Sequence, residues 1–163
     1  MTKPIYETLV DQLKVSVFPS NEEMGKAAAA EASEIIQRAA RERGEANIII
    51  ATGNSQLSFL TALRQDKNVP WARVNVFHMD EYVGIDAEHP ASFPNFLRQH
   101  FLRYVSVKAF YPVSSQVGSI EETCAEYARW LREHPADLCA CGYGENGHLA
   151  FNDPPFADFN DPV

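Results

Sequence analysis

The spacing of apolar and polar positions changes several times along the chain, and each change marks an element boundary. Lys14-Val-Ser-Val-Phe18 alternates, which predicts a short edge strand. Ser20-Asn-Glu-Glu23 has capping-box spacing, with Ser20 placed to cap and Glu23 three residues on. The alanine-rich segment after it predicts a helix to Arg43, with Gly44 as its left-handed terminator. Asn47-Ile-Ile-Ile-Ala51 is a β-branched run between polar residues, the signature of a buried parallel strand. It opens into Thr52-Gly-Asn-Ser55, after which Gln56 to Arg64 predicts a helix. Val74 to Met79 predicts a third strand that runs directly into Asp80-Glu81-Tyr82. Pro90-Ala-Ser92 opens a helix through Leu102, with Phe93, Phe96, Leu97 and Phe101 at core spacing. Lys108 to Pro112 is a short extended piece. Ser119-Ile-Glu-Glu122 is a second capping box, and its helix turns Cys124, Tyr127, Ala128 and Leu131 inward until His134-Pro135 stops it. Ala136 to Cys141 is a short apolar run that predicts a last buried strand.

Strands and helices alternating in this order predict an α/β fold: a doubly wound, mostly parallel sheet with helices on both faces. One domain spanning 1–163 accounts for the whole chain, which is long enough to bury a real core. Beyond Asp153 the periodicity fades into a proline-rich loop, so the pocket lacks the elements that would close it and the domain reads as C-terminally incomplete.

Composition narrows the function classes. The formal net charge of −8 argues against nucleic acid as a partner, since phosphate backbones reward a Lys/Arg surplus. The longest purely aliphatic run, Ile48-Ile-Ile-Ala51, is far short of a membrane span, and no apolar h-region follows the N-terminus. Three cysteines in a chain this long do not make a secreted disulfide framework. Cys139 and Cys141 read as core residues rather than metal ligands, because no second ligand pair stands near them. A cytoplasmic, enzyme-like domain follows, and a homo-oligomer is compatible with it.

The candidate chemistry gathers at predicted strand ends, which is where open α/β sheets bind ligands. Thr52-Gly53-Asn54-Ser55 offers hydroxyls and a permissive glycine at a helix start, either an anion cradle or a plain turn with Ser55 as N-cap. Asp80 and Glu81 are adjacent on an extended chain, so only one of them faces a given pocket. That one is a catalytic carboxylate, or the pair forms a solvated acidic turn. Gly142-Tyr-Gly144-Glu145-Asn146-Gly147-His148 joins a glycine-rich turn to one imidazole, with Asp153 five residues on. His89 and His100 have no partners at ligand spacing and read as surface or capping residues. The aromatic stripe of Phe93 to Phe101 reads as packing.

Three segments together resemble the glucosamine-6-phosphate deaminase/isomerase family, which is related to the 6-phosphogluconolactonases. They are Ala51-Thr-Gly-Asn-Ser-Gln56, Phe77-His-Met-Asp-Glu-Tyr-Val-Gly84 with His89-Pro-Ala-Ser92, and Gly142 through Pro154. The resemblance implies a modified Rossmann-like fold, an aldose–ketose isomerisation with loss of ammonia giving fructose 6-phosphate, and no metal or organic cofactor. It also implies that Asp80 takes the C2 proton, that His148 opens the sugar ring, and that Thr52, Gly53, Asn54 and Ser55 hold the phosphate. Glu81, Gly144 and Gly147 would line the substrate site. Family members carry an Asp two residues before the histidine and a Glu five after it; here those positions are Asn146 and Asp153, with Glu145 as a further candidate to orient the ring. Asn54-Ser55-Gln56 stands where Gly-Thr-Pro is usual. Lactone hydrolysis, isomerisation of a related sugar phosphate, and non-catalytic sugar-phosphate sensing remain as alternative readings.

Overall fold

A computed structural model describes residues 3–113, 118–155, 157, 158 and 160. The chain opens with a hairpin, β1 (Tyr6–Val10) and β2 (Leu13–Val17), paired antiparallel from Tyr6 opposite Val17 to Val10 opposite Leu13. A two-residue connection joins them, and Asp11 takes the left-handed conformation such turns require, with φ 52°. The expected edge strand thus exists, but it pairs with a segment whose pattern carried no strand signal. It also forms a separate sheet and does not border the main one.

Helix α1 (Asn21–Arg43) begins where Ser20 Oγ accepts the Glu23 N–H at 3.2 Å and ends at Gly44, φ 84°. The principal sheet contains β3 (Ala46–Ile50), β4 (Val74–His78), β5 (Ala109–Tyr111) and β6 (Leu138–Ala140) in the order β5-β4-β3-β6, every pair parallel. Between them run α2 (Leu57–Gln65), α3 (Phe93–His100) and α4 (Ile120–Glu133). The chain winds outward from β3 through β4 to β5, then returns to place β6 on the far side of β3. The sheet is therefore doubly wound, as the element order predicts, and its winding reverses between β3 and β6.

That reversal divides the helices between two faces. Ile36 of α1, Leu60 and Leu63 of α2, and Leu97 of α3 share one core with Ile48, Ile50, Val74 and Val76, all fully buried. On the other face α4 meets β4 and β5 through aromatic rings: Phe77 stacks on Tyr111 at 4.6 Å, Tyr127 stands edge-on to Phe77, and Trp130 lies 5.3 Å from Tyr111. None of α4's residues is fully buried, and Cys124, expected on its inner face, is exposed. The helix is seated by its large rings, and Cys124 lies outside that seat.

Two further expectations are corrected. Strand β6 is half-buried, and Cys139 and Cys141 are exposed thiols rather than core residues. The reason is topological: β6 is an edge strand in this sheet, and the rings of α4 lie over β4 and β5. The α3 helix stops at Phe101 and continues only as a 3₁₀ turn, Leu102–Tyr104. Phe101 is buried as its spacing predicts, whereas Phe93 is only half-buried.

The contact of α1 with α2 depends on Gly25, where an added Cβ would lie 2.6 Å from the Ser58 carbonyl carbon. Gly25→Ala must push the two helices apart, so we expect a loss of about 1–3 kcal/mol in unfolding free energy, read from urea denaturation.

Candidate active site

The paired strands end almost level. Ile50 stands opposite His78 on one side and Ala140 on the other, so the chains leaving β3, β4 and β6 emerge side by side. Between them lies a cleft of about 320 Å³. Thr52, Gly53 and Ser55 line it from the first turn, Asp80 from the second, and Gly144 and His148 from the third. Six of the candidate residues are thus gathered into one space. Ala51, Met79, Phe93, Gly142, Tyr143, Ala150 and Phe151 complete the wall.

The first turn swings out at Gly53 with φ 103°, where a side chain would be strained, and enters a 3₁₀ turn, Asn54–Gln56, that leads into α2. The N–H groups of Asn54 and Ser55 precede any intrahelical carbonyl that could accept them, so they are free to meet an anion. Ser55 does not cap α2: the N-cap position is Gln56, with no side-chain bond. Asn54 lies outside the cleft lining.

In the second turn, neighbouring acids point apart, as extended geometry demands. Glu81 turns back to the start of α3, where it accepts from the Ser92 hydroxyl at 2.8 Å, the Phe93 N–H at 3.2 Å and the Tyr82 N–H at 2.9 Å. It is a structural clamp, and the cleft does not include it. Asp80 faces the cleft half-buried, and its carboxylate makes no hydrogen bond to any described residue. Burial and the charge of Glu81 raise its pKa above the ordinary carboxylate value, which favours the protonated form and strengthens the carboxylate as a base.

The third turn folds on itself through Gly144 N–H to His148 O at 2.9 Å and Gly147 N–H to Gly144 O at 2.9 Å. Gly147 serves this reversal, with φ 86°, and lies outside the cleft. Gly144 is needed for a different reason: a Cβ there would sit 2.1 Å from the His148 ring. Asn146 Oδ1 lies 2.5 Å from His148 Nδ1, while its Nδ2 donates to Asp153 Oδ1 at 2.8 Å. Asp153 Oδ1 also stands 3.0 Å from His148 Nδ1. A carboxylate only accepts, so the amide must turn its NH₂ to Asp153 and its oxygen to the ring. Both groups at Nδ1 are then acceptors. The ring carries its proton there and leaves Nε2 as the lone-pair nitrogen. Glu145 is exposed and makes no described contact with His148.

Several wall residues escaped sequence reasoning. Phe93 and Phe151 are joined to Tyr82 in an aromatic cluster, with centroids 5.0 Å and 5.5 Å from the Tyr82 ring. Phe93 follows the apolar period of α3, which does not distinguish a core position from a cleft position. Among the described residues no cluster of three or more His, Cys, Asp or Glu could hold a metal ion, and no helix is long and apolar enough to cross a membrane.

The model of the glucosamine-6-phosphate isomerases/6-phosphogluconolactonase family matches residues 19–151. A glucosamine-6-phosphate deaminase from Lactobacillus delbrueckii subsp. bulgaricus is 32% identical over 142 residues, covering 87% of this chain and 58% of that protein. Among solved structures, a monomeric glucosamine-6-phosphate deaminase superposes with TM-score 0.73 at 22% identity, covering 83% of this chain and 57% of the other. A 6-phosphogluconolactonase from Shewanella baltica superposes with TM-score 0.70 at 22% identity, covering 81% and 57%. The chain spans a little over half the length of the curated relatives it matches.

Two outcomes are expected of the site. Gly144→Ala should expel the imidazole from its seat, and the ¹⁵N spectrum of the His148 ring should change from a single Nδ1–H tautomer to a mixture. A second concerns His78, the buried last residue of β4, whose pKa burial lowers from 6.5 to about 4. The unfolded chain binds the proton more readily, so this contribution is complete above pH ~6.5 and is lost as pH falls towards ~4. The loss is of order 3 kcal/mol, to be seen as a falling melting temperature across that window. Asp80 acts in the opposite sense, but in the lower carboxylate range.

Proposed function

This chain belongs to the glucosamine-6-phosphate isomerase/6-phosphogluconolactonase family, and we propose that it acts on a hexose phosphate as a glucosamine-6-phosphate deaminase, releasing ammonia and fructose 6-phosphate. The observation that carries this reading is the convergence of the Thr52–Ser55 turn, a carboxylate with no hydrogen bond among the described residues and an oriented imidazole on one cleft of about 320 Å³. That volume suits a small sugar.

Each group has a task set by its chemistry. The sugar enters as a closed pyranose, and opening it moves a proton from the C1 hydroxyl to the ring oxygen. His148 Nε2 is the free nitrogen that accepts and returns it, and Asp153 at 3.0 Å from Nδ1 supplies negative charge beside the transient imidazolium. Asp80 takes the C2 proton and delivers it to C1, while one amine proton passes to the former C1 carbonyl oxygen, so that C1 becomes a hydroxymethyl group and C2 an imine. Water then adds to that imine, and ammonia departs. No step calls for a metal or an organic cofactor. The Ser55 N–H, with the Thr52 and Ser55 hydroxyls, suits the phosphate. The Asn146 substitution does not favour a purely binding role, because the amide passes the hydrogen bond from Asp153 to the ring.

A second reading is lactone hydrolysis, favoured by solved 6-phosphogluconolactonases of the same fold. It needs a base for water and an anion pocket, and no C2 proton transfer.

The test is ammonia release from glucosamine 6-phosphate by the full-length protein, run beside 6-phosphogluconolactone. Turnover of the amino sugar is expected, with Asp80→Asn and His148→Gln each lowering kcat by about 10²–10⁴-fold. Lactone turnover alone would replace the first reading with the second. Saturable binding of both sugars, seen as a rise in melting temperature without product, would make the protein a sensor.

A further inference from the structure

The Asp80 carboxylate has no hydrogen bond of its own among the described residues, so its direction into the cleft is set by the main chain on either side of it. On the far side Glu81 is clamped to the start of α3. On the near side stands His78, whose ring is 1% exposed and lines no part of the cleft. Its Nε2 lies 2.8 Å from the Val113 N–H, and its Nδ1 lies 3.0 Å from the Asp80 main-chain oxygen. The Val113 N–H can only donate, so Nε2 is the acceptor and Nδ1 carries the proton. One neutral tautomer satisfies both partners. The backbone of His78 is held as well: the Tyr127 hydroxyl of α4 accepts from its N–H at 3.1 Å and donates to its carbonyl at 2.6 Å.

We propose that His78 is a positioning residue for the Asp80 base: its imidazole is a strut that ties the Asp80 carbonyl to the segment after β5 and fixes the angle at which the carboxylate enters the cleft. The proposal rests on the functional reading only in taking Asp80 as the base. The low pKa supports it, since a ring that stays neutral keeps both bonds throughout the working pH range. Fixing direction matters because a displacement of about 1 Å at a reacting group can cost 10²-fold in rate.

Two substitutions divide the strut. The amide nitrogen of Asn reaches where Nδ1 sits, so His78→Asn keeps the bond to Asp80 and loses Val113. Gln reaches where Nε2 sits, so His78→Gln does the reverse. Both variants remove the buried ring and should melt lower than wild type. A merely structural role would impair them alike. Positioning predicts that His78→Gln lowers kcat at least about 10-fold with KM little changed, and that His78→Asn recovers most of that loss.

A readout independent of turnover is the ¹³C titration of the Asp80 carboxyl. The titratable groups around it, Glu81 beside it, the Tyr127 hydroxyl behind it and His148 across the cleft, are the same in all three proteins. In His78→Gln the carboxyl should swing towards solvent and titrate nearer the ordinary aspartate value, while His78→Asn should keep the raised value. Equal behaviour of the two variants in both readouts, or an unchanged Asp80 titration in His78→Gln, would overturn the strut. If wild type forms no ammonia, the deaminase reading fails, and the Asp80 titration still decides the role of His78.

Discussion

Everything at the cleft depends on the register of β3 with its two neighbours. Register is secured at the opposite, amino-terminal end of the sheet. Asn75 Nδ2 donates to Asn47 Oδ1 at 2.8 Å across the β3–β4 pair. Asp137, just before β6, accepts the Asn47 N–H at 2.9 Å and is paired with Arg43 at the end of α1. Sliding either neighbour by one residue would leave buried amides without partners and turn every side chain to the wrong face. Fixed there, the strands have no choice but to finish together, and the turns beyond them start from one level.

On that platform the three turns do different electrostatic work. The first presents N–H and hydroxyl donors. The second presents one acid whose partner acid has been bound away by α3, so the two do not compete for the same space. The third presents an imidazole with a fixed tautomer. Among the described residues lining the cleft none is Lys or Arg, so the polar donors that the first turn turns to it are hydroxyls and backbone N–H groups.

The parts legible in the sequence are those whose signals are local. Caps at Ser20 and Ser119, the stop at Gly44 and the buried run through Ile48–Ile50 each arise from neighbouring residues. The opposed directions of Asp80 and Glu81 were implied by strand geometry alone. What escaped depends on contacts made elsewhere. Cys139 and Cys141 have core composition but stand on an edge, and edge status is a property of strand order. Tyr6–Val10 lacked a strand signal because both faces of that hairpin present apolar side chains to solvent. Asn146 reads as a lost charge until Asp153 is seen to reach both the amide and the ring, a contact between residues seven positions apart. His78 looks like any residue of a buried strand; only the position of Val113 reveals what its second nitrogen does.

The amide between Asp153 and His148 is followed by Gly147, and Asn-Gly is the dipeptide most prone to lose its side-chain ammonia by backbone attack. Here the attacking nitrogen is already donating to Gly144, and both ends of the amide are engaged. The order of the loop is thus also a chemical preservative. In a protein whose loop loosens, ageing would exchange the neutral amide for a second carboxylate or an isoaspartyl kink, and the histidine would acquire a different neighbour with no change in the gene.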